Sequence, residues 1–92
     1  MTNKLYVANL PYPATGSDLK KVFSKVGLVS KITVIKDGRG RSKGYGFVEM
    51  SNQTEAKNAV LRLNGYTLNV NKAERNLHVT YAQWNSHSKL VY

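Results

Sequence analysis

The chain is expected to fold as an α+β domain: a four-stranded antiparallel sheet with two helices packed on one face. Two observations carry this. Segments with the two-residue period of a strand and segments with the 3.6-residue period of a helix follow one another in the order β-α-β-β-α-β. Both helical segments also carry one narrow apolar stripe, as helices lying on a sheet should. Ninety-two residues allow one small domain, and 41% hydrophobic content is ordinary for a globular chain.

Leu5 to Leu10, L-Y-V-A-N-L, reads as the first strand. Leu5 and Val7 share one face, Tyr6 and Ala8 the other. Pro11 and the turn-like P-Y-P-A-T-G end it. Thr15 to Val26 reads as a helix, capped by Thr15 or Ser17. Thr15 and Asp18 have capping-box spacing. Leu19, Val22, Phe23 and Val26 fall at i, i+3, i+4 and i+7, so Phe23 belongs to the core. Lys20, Lys21 and Lys25 lie off that stripe, on a solvated face, and Gly27 is the expected C-cap.

Val29 to Lys36 is the second strand, with Ile32 and Val34 inward and Lys31, Thr33 and Ile35 outward. Lys36 to Lys43, K-D-G-R-G-R-S-K, is a connecting loop with a turn signal at Asp37-Gly38 and added freedom at Gly40. Four basic residues stand there against one aspartate, either to close over an anionic ligand or as a solvated hairpin tip.

Lys43 to Met50, K-G-Y-G-F-V-E-M, is the third strand. Alternation places Lys43, Tyr45, Phe47 and Glu49 on one face, and Gly44, Gly46, Val48 and Met50 on the other. Val48 and Met50 suit a core. The opposite face then shows two rings and a lysine, a pattern that marks a binding surface. Bases stack on aromatic faces and a lysine holds phosphate. The glycines let something approach the strand closely.

Ser51 to Leu63 is the second helix, capped by Ser51 or Asn52, with Glu55 in the first turn, where the helix dipole favours an anion. Ala56, Ala59, Val60 and Leu63 form its stripe, and Asn64-Gly65 ends it. Tyr66 to Arg75 is a long connection in which Thr67 to Val70 forms a minor strand or hairpin arm, with Tyr66 packed at the helix end. Asn76 to Ala82 is the last strand. Leu77, Val79 and Tyr81 point inward; His78, Thr80 and Ala82 point outward. Residues 83–92 form a tail whose notable residue is Trp84. It folds over the sheet, touches a ligand, meets a partner or has no role.

Composition narrows the function. Fourteen Lys and Arg against five Asp and Glu give a net charge of +9, which suggests a polyanionic partner. Without cysteine there is no disulfide framework or thiolate metal site, and His78 and His87 alone make a poor zinc site. No metal or cofactor is expected. No apolar run approaches the roughly 18–20 residues of a membrane span, and the N-terminus lacks a secretory signal. An intracellular protein, cytoplasmic or nuclear, is the plain reading. No cysteine nucleophile, carboxylate cluster or P-loop is present, so enzyme activity is not expected.

The octamer Lys43–Met50 and the hexamer Leu5–Leu10 closely resemble the two RNP motifs of the RNA recognition motif (RRM) family. The hexamer fits at every specified position and the octamer at seven of eight. Met50 replaces an aromatic but points into the core, so the departure bears on packing. The resemblance spans residues 4–82 and implies a split βαβ, ferredoxin-like fold with the two motif strands side by side at the centre of the sheet. It implies that Tyr6 and Tyr45 are the principal base-stacking rings. Phe47 sits between bases or against a ribose, Lys43 holds a phosphate, and Asn9 contacts a base or fixes the turn.

Arg39 and Arg41 on the basic loop, with Lys4, Lys31, His78 and Thr80, complete the expected contact set. For His78, stacking on a base and a plain exposed edge position stand equal. The expected ligand is single-stranded RNA, with single-stranded DNA a second candidate, bound by a monomer. Some RRM-like domains instead bind proteins, and the helices or the Trp84 tail would serve such a partner. Those domains often lack the motif aromatics, which this chain keeps.

Overall fold

The structure, a computed structural model, describes residues 3–82. The Trp84 tail and His87 lie outside the described residues. In chain order the elements are β1 (Lys4–Ala8), α1 (Gly16–Phe23), β2 (Val29–Lys36), β3 (Ser42–Met50), α2 (Gln53–Leu63), β4 (Thr67–Val70), β5 (Ala73–Asn76) and β6 (His78–Tyr81). The main sheet has the order β2-β3-β1-β6 with every pairing antiparallel, so the two motif strands are the central pair. β4 and β5 form a separate two-stranded ribbon.

The core lies between the sheet and the helices. Leu5, Val7, Val48, Met50 and Val79 come from the strands; Leu19, Val22 and Phe23 from α1; Ala56, Ala59 and Leu63 from α2. The expected alternation and stripes account for these buried positions. Val29, Ile32 and Val34 of the edge strand β2 pack against the same cluster but stay partly exposed.

Capping chemistry sets the helix starts. The Asp18 backbone N–H donates to Thr15 Oγ1, and the Thr15 backbone N–H donates to Asp18 Oδ2, a reciprocal capping box. Asn52 caps α2 by accepting from the Glu55 backbone N–H at 2.8 Å. The carboxylate of Glu55 then accepts from the Leu28 backbone N–H and the Ser51 hydroxyl, tying α2 to the chain entering β2.

Several element ends differ from the sequence expectation. β1 stops at Ala8 rather than Leu10 because Asn9 takes φ 61° and turns the chain. α1 stops at Phe23 rather than Val26. The N–H groups of Lys25 and Val26 reach back three residues, to Val22 and Phe23, and this tighter turn closes the helix. Gly27 is therefore not its C-cap. It sits where a Cβ would lie 2.8 Å from Glu55 Cβ, so its role is close packing of the loop on α2.

The long connection is a full hairpin, not one arm. Asn71 and Lys72 both have positive φ, as a two-residue turn of the I′ class requires. The last strand is shorter than expected. Leu77 separates β5 from β6, exchanging backbone hydrogen bonds with Tyr66 and Gly65. Ala82 follows β6 and is buried, although alternation places it outward.

Candidate nucleic-acid interface

Pairing builds the outer face from rows of residues on neighbouring strands. Thr33, Phe47, Tyr6 and Thr80 form one row, through the pairs Thr33–Phe47, Phe47–Tyr6 and Tyr6–Thr80. Tyr45, Ala8 and His78 form the row on one side of it, and Lys31, Glu49 and Lys4 the row on the other. The alternation that buries Leu5, Val7 and Val48 brings Tyr6, Tyr45 and Phe47 together on the opposite face.

The three rings touch. Tyr6 lies 5.7 Å, centroid to centroid, from both Tyr45 and Phe47, with interplanar angles of 47° and 54°. Tyr45 and Phe47 are 6.4 Å apart and nearly perpendicular. These spacings and angles suit mutual edge-to-face attraction, so the rings hold one another in place. All three are half-buried by their neighbours and none belongs to the core cluster. The Lys4 ammonium sits 5.0 Å from the Phe47 centroid, placing a cation on the cluster.

The backbone of β3 is irregular next to the cluster. Gly44 has φ 84°. The β2–β3 register slips between the pairs Val34–Gly46 and Lys36–Ser42, so three residues of β3, Lys43 to Tyr45, face Ile35 alone. The bulge lies beside the end of β1, where the Leu10 N–H donates to the Gly44 carbonyl at 2.9 Å, and Lys43 and Tyr45 line the same depression as Leu10.

Hydrogen bonds tie the basic loop together around Asp37. Asp37 Oδ1 accepts from the backbone N–H groups of Arg39 and Arg41, and Asp37 Oδ2 accepts from Arg41 Nε at 3.0 Å. Arg41 is thus held in an ion pair with Asp37, while its side chain stays 71% exposed. Arg39 and Lys43 are exposed. The two backbone N–H donors, followed by the Arg41 side chain and the Lys43 charge, hold the Asp37 carboxyl below its ordinary value of 3.8.

A depressed carboxylate stabilises the turn above its unfolded pKa, and that contribution is lost as pH falls through the lower, folded pKa. In an acid titration followed by NMR, the Arg39 and Arg41 amides are expected to move together, with a midpoint below 3.8. A midpoint at or above the ordinary value would contradict the bonding pattern.

Asn9 uses both ends of its side chain within the fold. Its Nδ2 donates to the Asn76 carbonyl and its Oδ1 accepts from Arg75 Nη1, each at 2.8 Å. Of the two roles open to Asn9 from the sequence, fixing the turn is the one the structure displays. Arg75 carries no local sequence signal for this contact, because its neighbour here is 66 residues away. Tyr12 also lies beside this junction, 72% exposed. His78 and Lys31 are exposed, and Thr80 is half-buried beside Tyr6. Among the described residues no group of His, Asp or Glu is arranged to hold a metal ion, and no helix is long and apolar enough to cross a membrane.

Comparison with known proteins gives one answer. The sequence model described as "RNA recognition motif" matches residues 5–74. The chain is 45% identical to polyadenylate-binding protein 2 of Arabidopsis thaliana over 62 residues, covering 67% of this chain and 10% of that protein. It is 40% identical to the mitochondrial glycine-rich RNA-binding protein 4 of the same plant over 78 residues, covering 84% of this chain and 57% of that one. A solved Sxl-lethal protein/RNA complex superposes with a TM-score of 0.83 at 28% identity, over 95% of this chain and 50% of the other. The chain therefore spans between a tenth and just over half of the length of these proteins.

Proposed function

Because this chain belongs to the RNA recognition motif family, we propose that it binds single-stranded RNA on the outer face of its sheet. The observation that carries this is the cluster of Tyr6, Tyr45 and Phe47 on the two central strands, turned away from the core. Tyr6 and Tyr45 take the principal stacked bases, and Phe47 packs between bases or against a ribose. Lys43 and Arg39 meet phosphates. Arg41 joins them while still bonded to Asp37, or exchanges that carboxylate for phosphate. Lys4, Lys31, His78 and Thr80 border the path of the strand. An unpaired strand suits the site because its bases expose their π-faces, which a duplex hides.

Each base–aromatic stack contributes about 1–3 kcal/mol. Two or three stacks with phosphate contacts reach the ~8 kcal/mol of a micromolar complex before the cost of ordering the strand is deducted. One chain acts as a monomer on one strand, in an intracellular setting where RNA is present.

The test is an NMR titration with a random-sequence single-stranded RNA pool at two or more salt concentrations, repeated with DNA of equal length. Amides around Tyr6, Tyr45 and Phe47 are expected to shift. The slope of log K against log salt should lie between about −1.4 for two phosphate contacts and about −2.1 for three. Sheet amides that stay still at millimolar RNA would sink the proposal, and a flat salt dependence would remove its electrostatic half. Weaker binding of DNA would identify contacts to the 2′-hydroxyl.

A further inference from the structure

Beyond the three rings, at the end of β1, the surface is concave. A pocket of about 300 Å³ opens there, and Tyr6, Asn9, Tyr12, Lys43, Tyr45 and Arg75 are among its lining residues. That volume is at the small end of the roughly 300–1,000 Å³ typical of ligand pockets. It has room for one small planar group.

Three of its side chains have chemistry that the fold leaves wholly or partly unused. Tyr12 stands between Pro11 and Pro13, on a turn closed by the Ala14 N–H donating to the Pro11 carbonyl at 2.9 Å. The prolines fix the backbone, so the 72% exposed ring is carried on a rigid support. Arg75 donates from Nη1 to Asn9 Oδ1, and Asn9 in turn is anchored on the Asn76 carbonyl. One guanidinium nitrogen is thereby fixed at the pocket, while the flat face and the remaining donors are left for a ligand. Lys43, exposed, supplies a point charge at the same pocket.

A phenol ring, a tethered guanidinium plane and a lysine define a ligand that is flat, rich in π-electrons and anionic. A nucleotide has these properties, and a base stacks on tyrosine and on arginine alike. The pocket also shares Tyr6 and Tyr45 with the ring cluster, so its occupant would be the next nucleotide of a strand lying on those rings.

We propose that the Tyr12–Arg75 pocket is an adjoining subsite for one further nucleotide, its base held between the Tyr12 ring and the Arg75 guanidinium and its phosphate directed to Lys43. The subsite lengthens the bound strand by one nucleotide beyond the ring cluster. It rests on the reading of the sheet as an RNA platform.

The experiment measures the affinity of a random-sequence pentanucleotide RNA pool for the wild-type protein and for Tyr12→Ala, Arg75→Lys and Tyr45→Ala, with thermal unfolding of each. Tyr12→Ala should bind about tenfold more weakly, the loss of one stacked base, at an unchanged unfolding midpoint. Arg75→Lys keeps the charge but loses the flat face, and should also weaken binding. If Tyr12→Ala binds as the wild type does while Tyr45→Ala is impaired, the subsite is overturned and the platform stands. If Tyr45→Ala binds normally as well, the platform itself fails. Should Arg75→Lys destabilise the fold through Asn9, Tyr12→Ala decides alone, since its ring is outside the core.

Discussion

Tyr45→Ala is expected to weaken RNA binding by about 10- to 100-fold while the domain stays folded. The size follows from two losses. The ring itself contributes a stacking surface of about 1–3 kcal/mol. It also holds Tyr6 at 5.7 Å and Phe47 at 6.4 Å, so its removal loosens the two rings that remain. Phe47→Ala should act similarly, because Phe47 lies directly opposite Tyr6 and carries Lys4 above it. Shared contacts mean that the double variant will not show the sum of the two losses.

The fold should survive either change. The inward neighbours Val48, Met50, Leu5 and Val7 form the core without these rings. Affinity for the random-sequence pool and the thermal unfolding midpoint check both halves. A folded Tyr45→Ala protein that binds as the wild type does would sink the stacking assignment.

What could be read from the sequence was local. Alternation in Leu5–Leu10 and Lys43–Met50 was enough to separate Tyr6, Tyr45 and Phe47 from the core, because the period of a strand allows only two faces. The i, i+3, i+4, i+7 stripes placed Leu19 and Ala56 for the same reason. Where tertiary contacts decided, the sequence was silent. The Asn71-Lys72 turn lacks the glycine that usually announces positive φ. The end of α1 is set by bonds that let Val26 pack on the core. Arg75 meets Asn9 only because β6 pairs with β1 and brings the chain just before it to the end of that strand. The tie between Asp37 and Arg41, by contrast, has a local signal: opposite charges four residues apart across a glycine turn.

Gly46→Ala is expected to damage the fold more than any ring substitution. A Cβ at this position would collide with the Thr33 carbonyl oxygen and lie 3.1 Å from Val34 Cα and 3.2 Å from the Thr33 carbonyl carbon. All three atoms are backbone, so no rotamer change relieves the clash. Relief requires β2 to move away from β3, breaking the register at Val34–Gly46 beside the bulge at Gly44. Overpacking of this kind costs about 1–3 kcal/mol, and more where the backbone must shift. For a domain of this size each kcal/mol lowers the unfolding midpoint by roughly 4–8 °C, so a fall on the order of 10–20 °C is expected.

Gly38→Ala is the control. Nothing lies within 4 Å of its Cβ position and its φ is not positive, so its midpoint should stay close to that of the wild type. Gly46→Ala should also weaken RNA binding in parallel with stability, because Tyr45 and Phe47 flank the displaced residue. A Gly46→Ala protein as stable as the wild type would mean that β2 yields without cost. The close approach of the two strands would then have no part in fixing the position of the rings.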